Sequence, residues 1–214
     1  MKKLVLILSL TCIAFFANAQ RKYVKGYLCA NGGANFATFF QSSTDVSSLT
    51  GVWGPEAGLS FRYVTPTWVG FEGGFNYSVK GAAFSDSINT KAYVNYAGAF
   101  FDGLIYFPLK NNDDMYAGAG FYGGYGISGK VKSDSANVDM KFGDTWKRGD
   151  VGFEFRVGYV VKNTVGLGIR YSIGFVPVYS GTDLRGRSNH GRNSVFNMFI
   201  TFQLAKIYNK YWTK

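Results

Sequence analysis

Residues 151–175 alternate between large apolar side chains and small or polar ones over two long arms. A period of two held this long excludes a helix, and the polar pair Lys162-Asn163 between the arms predicts a β-hairpin. Each arm exceeds the usual strand length of about 5–6 residues and matches the roughly 9–11 residues with which a tilted strand crosses a bilayer. The apolar positions are Val151, Phe153, Phe155, Val157, Tyr159 and Val161 in the first arm, and Val165, Leu167, Ile169, Tyr171, Ile173 and Phe175 in the second.

The opposite face of this hairpin decides between a soluble barrel and a membrane barrel. It is mostly glycine, with a few charged and hydroxyl residues between. Glycine weakens a solvent-exposed strand and adds no solubility, but it suits the crowded interior of a narrow eight-stranded barrel. The apolar face is therefore predicted to meet lipid.

The first nineteen residues have the pattern of a signal peptide. Lys2 and Lys3 precede an apolar run that ends near Phe16, and the sequence Ala17-Asn18-Ala19 follows as a cleavage site. The residues before Cys12 do not match a lipobox, so lipidation is not expected. We predict a signal peptide over 1–19, an outer-membrane barrel over 20–205 and a short periplasmic tail over 206–214.

Composition agrees with an exported membrane barrel. Charged residues make up 17% of the chain, below the roughly 25% of soluble domains, while aromatic residues reach 18% and glycines number 28. After the signal no run approaches the ~18 apolar residues of a transmembrane helix. Cys29 is then the only cysteine, which rules out an internal disulfide, and it is interpreted as a small wall residue rather than a reactive thiol.

Eight alternating segments can be counted along the chain. Short turns follow the second, fourth and sixth segments, and longer polar loops follow the odd ones. This is the asymmetry of an outer-membrane barrel with short periplasmic turns, and an even strand count places both termini in the periplasm. The fold class is all-β, an eight-stranded antiparallel up-and-down transmembrane barrel behind a cleaved signal peptide. The predicted strands are 25–37, 52–64, 69–79, 93–107, 115–127, 151–161, 165–175 and 194–205.

Aromatic residues gather near both ends of these segments, as in the interfacial girdles of membrane barrels. The short-turn group is Tyr63, Trp68, Tyr106, Phe107, Tyr116, Tyr159 and Tyr208, and the long-loop group is Trp53, Tyr77, Tyr93, Tyr125 and Tyr179.

The signal ending in an Ala-Gln junction, the eight segments and the opening GYLCANGGANFATF together resemble the PorT-type outer-membrane β-barrel family. The resemblance spans about 25–205 and implies the barrel fold and an outer-membrane location in a Gram-negative envelope. That family includes a component associated with type IX secretion. The architecture is also similar to the barrels of OmpA and OmpX, but only the short predicted tail follows the last strand, and no terminal aromatic residue closes it.

The predicted inner face carries charges of both signs in similar number. Because a buried charge is costly unless it is paired, we interpret these residues as a structural salt-bridge network that plugs the lumen. The alternative is a gated path for protons or small ions. The residues are Glu56, Arg62, Glu72, Asp102, Glu154, Arg156 and Arg170, where Asp102 follows an irregular Phe100-Phe101 pair that could hold a bulge.

Catalysis is not predicted. His190 is the only histidine, and it lies in a loop where Ser188 and Ser194 are near in sequence. The eight-stranded lipid deacylases carry an H-x-S order on the barrel wall, whereas Ser188-Asn189-His190 has the reverse order. No residues have metal-ligand spacing, and the glycines of GAGFYGGYG precede no helix that could bind phosphate, so no metal or cofactor is expected.

These features favour an outer-membrane protein with a structural or interaction role. Its loops or tail would bind an envelope protein, a surface glycan or lipopolysaccharide, and a secretion or envelope complex is one setting for such a role. A small or gated pore is the alternative. Without Lys2 and Lys3 the formal net charge falls from +10 to +8. In an exported chain this favours anionic lipid over nucleic acid, with extracellular basic contacts at Arg185, Arg187 and Arg192.

Overall fold

The computed structural model describes residues 24–41, 49–65, 67–84, 90–109, 113–134, 136–182 and 188–209. These residues form a single antiparallel sheet, and no helix among them is long and apolar enough to span a membrane. The strands are β1 (Val24–Gln41), β2 (Leu49–Thr50), β3 (Val52–Val64), β4 (Val69–Phe84), β5 (Thr90–Pro108), β6 (Asp114–Lys132), β7 (Asn137–Asp139), β8 (Gly149–Val161), β9 (Val165–Gly174), β10 (Tyr179–Thr182) and β11 (Ser188–Asn209).

The sheet closes on itself. Its order is β1-β3-β4-β5-β6-β8-β9-β11, and β11 pairs again with β1, from Val24 opposite Asn209 to Gln41 opposite Gly191. The three short strands β2, β7 and β10 extend the sheet beside β4, β6 and β11. The predicted eight-stranded, up-and-down antiparallel barrel is therefore confirmed.

The inward and outward faces alternate as the hydrophobic pattern predicts. Outward apolar side chains are well exposed, with Phe75 at 75% and Phe101 at 60%, because in isolation they face the space that lipid occupies. Glycines on the inner face make room for larger neighbours. A Cβ at Gly158 would overlap the Tyr116 ring, and one at Gly120 would overlap Asp102.

Several strands are longer than predicted at the long-loop end. β4 continues to Phe84, β5 begins at Thr90, β6 continues to Lys132 and β11 begins at Ser188, so most of the residues predicted as loops at 80–92 lie in strands. β11 also continues past Ala205 to Asn209. Beyond the lipid-facing part of β5, for example, the inner residues Ala92 and Val94 are apolar and the outer residues Lys91 and Asn95 are polar. The alternation therefore reverses its polarity and looks like loop sequence.

The predicted β8–β9 hairpin is confirmed, and its turn is a two-residue one. Lys162 and Asn163 both have positive φ, at 46° and 53°, as a type I′ turn requires, and the Thr164 N–H donates to the Val161 carbonyl at 2.9 Å. The neighbouring turn braces it through Asp113.

Asp113 accepts a hydrogen bond from the Tyr159 hydroxyl at 2.5 Å and one from the Lys162 backbone N–H at 2.9 Å. These two bonds hold the pKa of the Asp113 carboxyl below its usual range.

Three of the residues predicted for the girdles lie elsewhere. Tyr106 and Tyr116 are buried inside the barrel, and Tyr179 packs inside the long-loop end, so the prediction was wrong for these three. An aromatic ring at an inward position fills the barrel end instead of meeting the lipid interface. Exposed aromatic residues do remain near both rims, among them Tyr63, Phe107, Tyr159, Trp53, Tyr77 and Tyr125.

Candidate functional site

The middle of the barrel holds a dense set of charged side chains. The structure places all seven predicted inner charges there, from Glu56 to Arg170, and adds Lys80 and Asp150. We call these nine residues the central ion network. Four are cationic and five are carboxylates, and each takes part in an ion pair.

Arg156 is the hub of this network. Its guanidinium lies 2.9 Å from a Glu72 oxygen, 2.9 Å from an Asp102 oxygen and 3.7 Å from Glu154. Neither Asp102 oxygen accepts a well-aligned hydrogen bond from a described residue. The positive charge of Arg156 therefore stabilises the Asp102 carboxylate without a hydrogen bond. Arg62 supports the hub from the other side, because its Nε donates to Glu72 at 2.8 Å.

Strand register explains how these residues meet. Arg62, Glu72 and Asp102 are direct partners across β3, β4 and β5, whereas Arg156 and Arg170 are direct partners across β8 and β9. Two like charges placed opposite each other are unfavourable, so carboxylates from the facing wall must reach across the lumen. The narrow barrel makes this reach possible.

Arg170 forms the second branch of the network. One of its terminal nitrogens donates to Glu56, and the other lies 3.8 Å from Glu154. The guanidinium also packs near the rings of Phe100 and Phe199, with both ring centroids at 5.8 Å. Aromatic faces of this kind favour a desolvated cation.

The Lys80–Asp150 pair was missed by the prediction from sequence. Lys80 Nζ lies 2.8 Å from Asp150, which also accepts hydrogen bonds from the Tyr122 hydroxyl at 3.1 Å and the Asn193 amide at 2.9 Å. Both residues were assigned to loops. Lys80 nevertheless continues the even-numbered inward face of β4, and Asp150 continues that of β8, so the alternation itself would have revealed them.

Apolar side chains close the barrel at the short-turn end. This short-turn cluster packs below the central ion network, and Arg62 links the two, because its guanidinium lies 4.8 Å from the centre of the Tyr116 ring. Cys29 belongs to this cluster as a buried free thiol. Its members are Tyr27, Cys29, Val64, Leu104, Tyr106, Tyr116 and Val160.

A second apolar core fills the long-loop end. Trp146 enters it from the β7–β8 connection, and its ring lies 4.8 Å from that of Tyr179 and 6.0 Å from that of Phe39. We call this core the long-loop cluster. Its buried members are Phe39, Ala82, Ala92, Val94, Tyr96, Met140 and Val178, with Leu49, Phe84, Val131, Phe142, Trp146 and Tyr179 packed against them.

Little space remains between these three layers. Two internal cavities beside the central ion network measure about 20 and 10 Å³, near the minimum that one water molecule needs. A larger apolar groove of about 830 Å³ lies on the outer wall around Gly32, Leu167 and Met198, where lipid would contact it.

Of the remaining predicted residues, His190 and Arg192 lie at the long-loop end. Arg192 is exposed on the outer face of β11, and Arg185 and Arg187 lie outside the described residues. The His190 ring forms an exposed hydrogen bond with Ser180 at 3.2 Å, while Ser194 bonds Tyr171 instead. Among the described residues no group of three or more His, Cys, Asp or Glu side chains could hold a metal ion.

The sequence profile of the outer membrane protein beta-barrel domain family matches residues 5–200. The chain belongs to this family. As a member, it is an outer-membrane barrel of a Gram-negative envelope, and nothing in the family assignment indicates catalysis. No curated protein sequence matches it.

Solved structures of three other proteins are similar to this chain. OprG from Pseudomonas aeruginosa is 13% identical with a TM-score of 0.50, and the match covers 88% of this chain and 98% of OprG. Neisserial surface protein A is 15% identical with a TM-score of 0.43, over 83% of this chain and 97% of the other. Ail of Yersinia pestis is 10% identical with a TM-score of 0.41, over 87% and 99%.

Proposed function

We propose that this outer-membrane barrel does not conduct and that it serves as a structural and interaction protein of the envelope. The observation that carries the proposal is the filled interior. An apolar cluster at each end encloses the central ion network, and the two cavities beside the network have room for about one water molecule each. An aqueous pore needs a continuous wet path, so this packing favours the closed barrel over the small or gated pore.

The long-loop end is the proposed interaction surface. The long-loop cluster packs between the strands that continue beyond the lipid-facing part, so the described residues of this end present an ordered surface. We place this end outside the cell and both termini in the periplasm, behind a signal peptide at 1–19. Envelope proteins, surface glycans and lipopolysaccharide are the proposed partners, with Arg192 among the exposed cations there and Arg185 and Arg187 as further proposed contacts. The same proposal includes an accessory role in a secretion or envelope complex, which the resemblance to the PorT-type family suggests.

Two measurements test this function. The mature protein, inserted into planar bilayers, should show no conductance steps under conditions where a general porin does. Affinity isolation from native outer membrane in mild detergent should recover a stable partner in defined stoichiometry. Reproducible single-channel steps that disappear when the Trp146→Cys/Tyr179→Cys variant is oxidised to a disulfide would instead identify a gated pore.

A further inference from the structure

The outer wall of β5 and β6 changes character at one residue. The register of this pair shifts where Asn95 pairs with Ser128 and Tyr96 with Gly126, which leaves Ile127 as the extra residue of a β-bulge. Below the bulge the outward side chains are apolar. Above it the inward residues, such as Val94, are apolar, and the outward ones are polar. The bulge therefore marks where this part of the wall leaves the bilayer.

Three lysines occupy the polar outer face above this point. Lys91 is the direct partner of Lys132, and Lys130 is the direct partner of Tyr93. All three lysines are exposed, and the Lys132 ammonium lies 5.5 Å from the centre of the Tyr93 ring. We call Lys91, Lys130 and Lys132 the lysine ladder. None of the three forms an ion pair with a residue that the structure describes, although Asp139 neighbours Lys130 in the β6–β7 register.

This arrangement is unfavourable for the protein alone. Like charges directly opposite each other across a ladder destabilise the sheet, and no carboxylate within the described part of the chain forms an ion pair with Lys91 or Lys132. A bound anion with several acceptor oxygens would reverse the sign of this interaction, because each ammonium has three donors. The geometry thus suits a phosphate.

The height of the lysine ladder indicates which phosphate. Tyr125 is exposed near the top of the apolar band and pairs with Ala97. Tyr93 lies four residues before Ala97 on β5, toward the long-loop end. At about 3.3 Å per residue and a strand tilt of about 40°, Tyr93 lies roughly 10 Å above that level. Headgroup phosphates of the outer leaflet lie at this level, just beyond the aromatic belt.

We propose that the lysine ladder binds the phosphate groups of lipopolysaccharide in the outer leaflet. The proposal rests on the function proposed above, because it needs the long-loop end to face outward. It places the lipid contact on the β5–β6 wall, away from Arg192 on β11. A soluble polyanionic glycan is the competing ligand, and it would not require a position beside the apolar band.

The test compares two triple variants of the full mature protein, folded in a non-ionic, phosphate-free detergent. One is Lys91→Gln/Lys130→Gln/Lys132→Gln, and the control is Lys141→Gln/Lys147→Gln/Lys162→Gln, which removes the same charge from exposed positions outside the lysine ladder. The probes are rough-type lipopolysaccharide, the same lipopolysaccharide after dephosphorylation, and heparin. We expect the first variant to bind intact lipopolysaccharide about 100-fold more weakly, with a change of threefold or less for the control. Dephosphorylation should weaken wild-type binding similarly.

A second measurement does not depend on the triple variant folding. Intact lipopolysaccharide should protect Lys132 of the wild type from amine acylation more than it protects Lys141. In lipid-free detergent, Lys132→Gln should also raise the unfolding midpoint, since it removes a like-charge pair. Three results would each overturn the proposal. The first is an equal loss of lipopolysaccharide binding in both triple variants, and the second is no protection of Lys132. The third is heparin binding that depends on the lysine ladder while lipopolysaccharide binding does not. A conducting wild type would overturn the proposed function but leave the ladder result valid.

Discussion

Replacing Arg170 with alanine tests directly whether the lumen is a packed core or a water-filled path. Arg170 is 6% exposed and forms an ion pair with Glu56. Its second partner, Glu154, also lies 3.7 Å from Arg156 and would retain that cation after the substitution. The substitution therefore leaves mainly one uncompensated carboxylate in a nearly dry environment. Breaking such a buried pair costs about 3–5 kcal/mol, whereas in a water-filled lumen solvent would screen Glu56 and the cost would fall to about 0–1 kcal/mol.

The assay is urea unfolding in detergent, followed by tryptophan fluorescence, together with conductance in planar bilayers. For the packed lumen we expect Arg170→Ala to lower the unfolding free energy by about 3–5 kcal/mol and to leave conductance at the baseline. The double variant Arg170→Met/Glu56→Met removes both charges and fills the space, so most of this loss should be recovered. Arg192→Ala, an exposed arginine, is the control and should change stability by no more than about 0.5 kcal/mol. A stable Arg170→Ala barrel that conducts with cation preference would refute the reasoning.

Three further substitutions probe the lipid face, the long-loop end and a turn. Ile169→Arg places a charge on the lipid-facing wall and should reduce folding yield into bilayers by the equivalent of about 2–4 kcal/mol. Ile169→Ala should fold nearly normally, and equal yields would mean that the faces are reversed. Trp146→Ala should lower the unfolding free energy by about 1–3 kcal/mol but leave conductance at zero, because the ion network still fills the lumen. Asp113→Asn should remove the acid sensitivity of the turn that Tyr159 and Lys162 brace. Since the pKa of Asp113 is depressed, its contribution is complete above about pH 4 and is lost as the pH falls through the lower folded value. The wild type should therefore lose more stability than Asp113→Asn between pH 6 and pH 3, and parallel losses would contradict this.

The barrel was predictable because one simple rule governs its lipid-crossing part. There the outer face is apolar and the inner face is glycine or polar. Large apolar residues such as Phe155 and Ile169 therefore recur at every second position, which identifies the strands. The same rule located Glu72 and Arg156 on the inner face, because a residue between two outward-facing apolar residues of a strand must face inward.

The rule failed where the barrel leaves the lipid. Lys80 and Asp150 lie on the inner face of strands that the prediction had already ended, because the surrounding residues no longer showed apolar side chains outward. Tyr106 and Tyr116 failed for a related reason. A tyrosine near a strand end suits either a lipid interface or the interior of a barrel end, and only the phase of the alternation separates the two. The phase was available for both residues, and composition alone was misleading.

The partners within the central ion network could not be read from the alternation. Arg156 meets Glu72 and Asp102 across the lumen because β8 and β4–β5 lie on facing walls, which depends on the tilt and stagger of the whole closed barrel. Charge balance did predict that partners exist, since unpaired charges would be expensive there.

The bulge at Ile127 connects these failures to the proposed lipid contact. The extra residue shifts β6 by one position, so Lys130 and Lys132 face outward at even positions, whereas below the bulge the even positions of β6 face inward. Without this shift both lysines would point into the apolar long-loop cluster, where unpaired ammonium groups are prohibitively costly. The wall therefore reverses its polarity and places its cations outward within a few residues. A variant lacking Ile127 should consequently fail to fold at the long-loop end while retaining the registers below it, a distinction that hydrogen exchange along β6 would resolve.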